Sequence, residues 1–347
     1  MAHVHTSSCG CGPAIGRRGF LGSVGCGAYV LWALASGAFD AKRAFAAPVQ
    51  GEEVMKEPFA RVEKLADGVW AVIGTPQGGR QVVSNAGIIA GSRVTMVVEG
   101  QNTPEGAAWV SEIAQQLTGR RPLWVVLTHF HADHSGGLAG HLGGKIMPQI
   151  IATDTTRRLM VERYSAGPTE EQAKGAREQN IPTVIVPRIV LPDTVMVDCD
   201  KPMPIDLGGR TAMVRCRSGH TPSDLTIEVS DPRVVWCGDL VFNGLFPFYG
   251  DAIPSELSKA CKAMLTDPET TYVPGHGSVA TAEGLKNYLG LLDDVEAAAR
   301  KAIEAGIPAS AAWQRYEAPK SLGEWSKFRA DVYRFAFEAW EKELKKG

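Results

Sequence analysis

The run Leu123-Trp124-Val125-Val126-Leu127-Thr128 is apolar and β-rich, and it leads straight into His129-Phe130-His131-Ala132-Asp133-His134-Ser135-Gly136-Gly137. Three imidazoles and a carboxylate crowded into one turn are costly to bury unless something binds them together. Imidazole and carboxylate are the ligand types that zinc, iron and manganese share. The chain therefore has to fold so that this turn reaches a rim where further ligands can meet it.

Three later segments supply such ligands. Gly219-His220-Thr221-Pro222 follows a short strand ending at Cys216, Trp236-Cys237-Gly238-Asp239 ends another on a carboxylate, and Val273-Pro274-Gly275-His276-Gly277 ends a third on an imidazole. Each candidate lies beside a glycine, which lets backbone approach an ion closely. Of the six histidines beyond residue 46, five fall in these four segments. The sixth, His141, has no such motif and reads as structural.

Alternating apolar positions predict strands at Arg61–Leu65, Val69–Ile73, Ala86–Ala90 and Val94–Val98. Trp109, Ile113 and Leu117, spaced by four, predict a helix over Thr103–Thr118. A charged helical stretch over about 155–182 reads as an insertion or cap. Strands then return at Ile205–Leu207, Ala212–Cys216, Leu225–Val229, Val234–Cys237 and Tyr272–Val273, with a helix at Ser255–Leu265. Two strand-rich halves, each with helices and each donating metal-type residues, predict a pseudo-symmetric α/β sandwich.

Glu283–Ala305 and Leu322–Leu344 read as helices. The second carries two apolar stripes: Trp325, Phe328, Val332, Phe335 and Ala339 on one, and Tyr333, Phe337 and Trp340 on the other. One stripe docks the helix on its own domain. The other is either more core, the preferred reading, or a homodimer surface.

In order and spacing, His129-x-His131-x-Asp133-His134, His220, Asp239 and His276 resemble the metallo-β-lactamase superfamily, over roughly Val62–His276. The resemblance implies a four-layer αββα sandwich with added C-terminal helices and metals at one edge. It implies that His129, His131 and His220 bind one ion, that Asp133, His134 and His276 bind a second, and that Asp239 bridges them. True β-lactamases of the superfamily usually carry cysteine or serine where this chain has Asp239, and the aspartate is similar to glyoxalase II and lactonase branches. The function implied is a binuclear hydrolase with two divalent ions, Zn2+ first and iron or manganese as alternatives. A metal-bridging hydroxide would attack an ester, thioester, lactone or similar bond, with Asp133 orienting it or passing a proton to the leaving group. The alternatives are a periplasmic β-lactamase and a metal-binding accessory protein of a periplasmic enzyme or cofactor relay.

The segment Phe242–Asp251 is strongly aromatic and follows Asp239, so it is expected to wall a small-molecule site, with Phe246 in the wall and Asn243 and Tyr249 as polar contacts. Arg80, in the polar loop Thr75–Gln81, is the candidate for an acidic substrate group.

Arg17-Arg18, a modest apolar run, Lys42-Arg43 and Ala44-Phe45-Ala46 are similar to a twin-arginine signal peptide over 1–46. Export to the periplasm follows as an expectation, with no stable membrane anchor after cleavage. His3, His5, Cys9 and Cys11 would leave with the leader. Residues 47–58 read as a polar linker, 59–280 as the catalytic domain and 281–347 as a helical extension packed on it. Cys199, Cys216, Cys237 and Cys261 show no C-x-x-C spacing, and their pairing stays open. A net charge of −2 without a basic cluster gives no footing for nucleic acid.

Overall fold

The computed structural model describes residues 51–75, 83–165, 190–196 and 199–346. The leader, Arg80 and most of the expected insertion lie outside these residues. Two sheets face one another. The first runs in sequence order: β1 (Glu52–Glu57), β2 (Ala60–Ala66), β3 (Val69–Gly74), β4 (Ala86–Ala90), β5 (Thr95–Val98), β6 (Trp124–Val126), β7 (Gln149–Thr153) and β8 (Thr194–Met196). It is an antiparallel meander through β5 and parallel from β5 to β8. The second runs β13-β12-β11-β10-β9, from β9 (Met203–Asp206), β10 (Thr211–Arg217), β11 (Asp224–Ser230), β12 (Arg233–Asn243) and β13 (Thr271–Gly277). Only the β12–β13 pair in it is parallel.

The period of two decides the layers. Val69, Ala71 and Ile73 of β3 face the second sheet, where they meet Val214, Leu225, Ile227 and Trp236. Their neighbours Trp70 and Val72 face outward and pack with Val110, Ile113 and Ala114 of helix α1 (Pro104–Thr118). Thr103 caps α1 by accepting from Gly106 N at 3.1 Å, with Pro104 at the first turn. The short α2 (Ala132–Ser135) and then α3 (Asp154–Tyr164) follow on the same outer side, where Phe130 and Met160 pack with Val125, Leu127 and Ile150.

The second sheet's outer face is covered by α4 (Pro254–Met264), α5 (Ala282–Glu304), α6 (Ala309–Ala312) and α7 (Val332–Leu344). The architecture is thus helix–sheet–sheet–helix with extra C-terminal helices. No helix among the described residues is long and apolar enough to cross a membrane.

Two expectations are corrected. Glu52–Glu57, read as linker, forms edge strand β1, because pairing with β2 satisfies its backbone while its charged side chains stay in solvent. The helix expected over Leu322–Leu344 begins only at Val332. A 3-10 turn at Lys320–Leu322 and Gly323 at φ +115° stop any earlier start, and Ser326 instead forms a β-bridge with Leu245. Both stripes lie in the core, the preferred reading: Val332, Tyr333, Phe337 and Trp340 of α7 are buried with Phe328 before it, and Trp325, Phe335 and Ala339 pack against the same cluster. Each large side chain buried there contributes roughly 1.5–3 kcal/mol. Cys199 and Cys216 form a disulfide, whereas Cys237 and Cys261 are free and buried.

Candidate metal centre

The sequence brings the ligand candidates to one rim by different local devices. On β12, Trp236 faces the inter-sheet core and Cys237 the outer one, so plain alternation would send Asp239 outward with Cys237. Gly238, at φ +52°, breaks the alternation and the β12–β13 register shifts there. Asp239 turns into the site as a result. Cys237 points away, with burial raising its thiol well above the ordinary value. Close approach by β13 needs Gly275: a Cβ there would lie 1.9 Å from Asp239 Oδ1.

All seven candidates are buried, between 0% and 6% exposed, which no surface scatter of histidines would show. His131 Nδ1 lies 3.2 Å from His129 Nε2 and 3.0 Å from His220 Nε2. Asp239 Oδ2 lies 3.3 Å from His220 Nε2 and 3.9 Å from His129 Nε2. The second set is as tight. Asp133 Oδ2 is 3.2 Å from His276 Nε2 and 3.6 Å from His134 Nε2, and those nitrogens are 3.4 Å apart. Asp239 Oδ1 completes it at 3.1 Å from His134 and 3.5 Å from His276. Four ligands at metal distances of ~2.0–2.1 Å in a tetrahedron stand about 3.3 Å from one another. The separations above, 3.0–3.9 Å, bracket that edge length, and the two Asp239 oxygens face different sets.

The residues therefore fit divalent metal. Asp239 Oδ1 is buried and faces imidazole nitrogens, His134 at 3.1 Å and His276 at 3.5 Å, so a buried carboxylate charge lies among donors of the type a cation would bind. Electrostatics point the same way. Burial, then the positive neighbour His134, holds His129 well below the ordinary imidazole value, and burial takes His220 to about 3, so both present free lone pairs. For His134 burial opposes protonation, but Asp239, Glu99 and Asp133 outweigh it and raise the ring well above its usual value. Against its own burial, Asp239 is held well below the carboxylate range by His134, His276 and His220.

A supporting layer surrounds the ligands, and its members were not anticipated from sequence. Glu99 Oε1 accepts from Thr128 Oγ1 at 2.5 Å and lies 3.1 Å from His134 Nδ1. Glu99 sits there at φ +80°, in the left-handed region unfavourable to a side chain, at the end of β5 beside β6. Asp251 Oδ2 meets His131 Nε2 at 2.9 Å, and its other oxygen accepts from Arg163 of α3 at 2.5 Å. Asn85 spans both sheets: its Nδ2 donates to Pro274 O at 2.8 Å and Gly277 O at 2.7 Å, and its Oδ1 accepts from Gly74 N at 3.0 Å. An acid just past a strand end was the only signal Glu99 offered, and it becomes informative only once β5 and β6 are known to pair.

The substrate-contact candidates are mostly displaced. Phe246 and Tyr249 are fully packed in the C-terminal core, where Phe246 meets Tyr333 with ring centroids 4.6 Å apart. Asn243 Nδ2 is committed to Ser278 O at 2.9 Å and Val279 O at 3.4 Å. The aromatic loop faces two ways. Phe242, Leu245 and Phe248 line the cavity over the carboxylates, joined by Phe328 from the C-terminal segment. His141 is structural as expected, buried between Ser111 Oγ at 2.7 Å and Glu99 O at 3.1 Å.

A family model described as the metallo-beta-lactamase superfamily matches residues 79–276, more than half of the chain, and the chain belongs to that superfamily. The acyl-coenzyme A thioesterase MBLAC2 of Homo sapiens is 26% identical over 193 residues, covering 51% of this chain and 65% of that protein. The hydroxyacylglutathione hydrolase of Acidiphilium cryptum (strain JF-5) is 26% identical over 174 residues, covering 50% and 57%. The match thus spans less than two thirds of these curated relatives. A metallo-beta-lactamase from Pontibacter korlensis superposes with a TM-score of 0.52 at 18% identity, over 67% of this chain and 99% of that one. Another, from Hirschia baltica, gives 0.51 at 21%, over 68% and 98%. These structures share the fold.

Proposed function

We propose that this chain is an exported metal-dependent hydrolase of acyl compounds, with esters, thioesters and lactones as the substrate class and zinc as the metal. The observation that carries the proposal is the pair of close-packed buried donor sets that meet at the two oxygens of Asp239. Nitrogen and oxygen donors without thiolate suit zinc; His129, His131, His220 and Asp239 would hold one ion and Asp133, His134 and His276 a second, with the other Asp239 oxygen 3.1 Å from His134 and 3.5 Å from His276. Bound divalent ions would supply acidified water and a Lewis acid for a carbonyl oxygen.

The chain's own residues provide the rest. Asp133, at the cavity and held ionised by its neighbours His134 and His276 against the effect of burial, is placed to orient a water nucleophile, accept the proton that water gives up on attack, and pass that same proton to the leaving group. His131 keeps one tautomer because Asp251 holds its Nε2. Phe242, Leu245, Phe248 and Phe328 exclude water above the reacting bond.

The relatives named above support acyl chemistry, since an acyl group appears in both names. Asp239 and the outward-facing Cys237 weigh against the β-lactamase reading. The Cys199–Cys216 disulfide supports export, since such bonds persist in oxidising compartments.

Metal analysis combined with a panel of thioesters, esters, lactones and β-lactams tests the proposal. The expected result is close to two zinc per chain and turnover of acyl substrates that His129→Ala abolishes. Purified protein that binds less than one equivalent, or esterase activity that survives His129→Ala, would refute it. Sequencing of the exported protein from its N-terminus tests the leader, with a start near Ala47 expected.

A further inference from the structure

The family match ends at His276, yet Phe328 lies well beyond it and lines the same cavity as Asp133, Asp239 and His276. Its place there is fixed by backbone. Ser326 N donates to Gly244 O at 3.0 Å and Phe246 N donates to Ser326 O at 2.9 Å, so the stretch before α7 is stitched to the loop that follows Asp239. Phe328 is 2% exposed and packs edge-on against Phe248, with ring centroids 5.9 Å apart. Phe248 in turn contacts His131 on one side and Phe335 of α7 on the other.

The cavity these groups enclose measures about 20 Å³, room for about one water. Its apolar lining is Phe242, Leu245, Phe248 and Phe328, and among the described residues neither lysine nor arginine lines it. A space of that size beside the donor atoms holds no more than a methyl-sized group, so a longer chain meets the Phe328 ring.

We propose that Phe328, supplied by the C-terminal segment, is a specificity-determining residue that restricts the site to acyl groups with a short apolar part. This rests on the acyl-hydrolase reading above and adds a size limit to it. Phe328 acts as a wall and takes no part in bond making. Shortening it opens the space between Phe248 and Leu245.

The test uses the zinc-loaded full chain and p-nitrophenyl esters from acetyl to decanoyl. The wild type should prefer the shortest esters. Phe328→Ala should raise the decanoyl-to-acetyl ratio of kcat/KM by at least about tenfold, the scale of discrimination that a few methylenes confer in an apolar pocket. The gain should lie mainly in a lower KM for the long ester. Phe328→Leu, which keeps the site filled and the core packed, should move the ratio in the same direction by less, with unchanged metal content and melting temperature. A ratio equal to that of the wild type in both variants overturns the proposal.

Should no ester be turned over, the hydrolase reading fails, and the wall is tested separately by binding. Acetate and decanoate are titrated against the cobalt-loaded protein and followed by its visible absorption. Tighter decanoate binding in Phe328→Ala, again by about tenfold, supports the wall, and unchanged relative affinity overturns it.

Discussion

The two halves of the sandwich arrive at one site by opposite routes. The first half contributes four candidate ligands from a single turn after β6, so His129, His131, Asp133 and His134 are placed together by local chain geometry. The second contributes three from three separate places, His220 before β11, Asp239 within β12 and His276 within β13. In the first half the problem is holding four crowded polar groups in register, and Glu99, Thr128 and the Ser84–Asp133 backbone contact of 2.8 Å serve that end. In the second the problem is bringing strand ends close, and glycines with the Asn85 clamp serve it. A dense motif needs buttresses; a dispersed one needs clearance.

Asp239 is where the halves meet, so its removal should be the most damaging change. Asp239→Asn keeps the shape but removes the charge shared by both sets. We expect loss of both ions to below one equivalent and of activity by on the order of 10³-fold or more, the scale of several kcal/mol of metal-derived stabilisation. Inductively coupled plasma analysis with kinetics reads both, and retention of two tightly held ions would contradict the bridging role. Gly275→Ala should act in the same direction, since its Cβ would meet Asp239 Oδ1 at 1.9 Å.

These contrasting routes also account for what the sequence disclosed. A turn that packs four ligand-type residues together is visible without any fold, and glycine beside His220, Asp239 and His276 marked the three others. The strands were legible because inward and outward positions alternate cleanly, as on β3. Glu99, Asn85 and Asp251 were not, because each acts through partners between 11 and 192 positions away, and nothing local distinguishes them from ordinary polar residues. Phe246, expected in the wall of the site, packs in the C-terminal core instead, and Phe328, expected in the core, also reaches the cavity, for a related reason. Hydrophobicity shows that a ring is buried but not whether a cavity or a helix receives it, so the neighbouring Phe246 and Phe248 face different surroundings. The stretch before α7 read as helix because its apolar spacing fits one, whereas its pairing with the loop at Gly244 decides otherwise.

The buttresses give a comparison of intermediate size. Glu99→Gln weakens the support of His134 and Thr128 in the first half, while Asp251→Asn weakens that of His131 from the loop after β12. Each should lower metal affinity by about 10–100-fold, with the ligands themselves intact. Chelator competition would measure it. If Asp251→Asn empties the set containing His131 first and Glu99→Gln the set containing His134, the supports are separate. Equal loss from both sets would mean that the halves respond as one unit.

The effect with the least reach into the donor sets concerns His141, which braces the first half by meeting both Ser111 and the Glu99 carbonyl. Burial lowers its pKa from 6.5 to about 4. Above pH 6.5 the ring is neutral in folded and unfolded chains alike, and its contribution to stability is fully present. As pH falls from 6.5 towards 4, the unfolded chain takes up a proton that the folded one refuses, so stability is lost across that window. The full difference is about 3 kcal/mol. His141→Asn removes this proton linkage while leaving a polar side chain to occupy the position. Urea unfolding of wild type and variant, both stripped of metal, should therefore show a stability gap that narrows as pH drops from 7 to 4.5. A gap that stays constant would mean that His141 is not held neutral, and that the support beneath Glu99 is looser than its buried contacts imply.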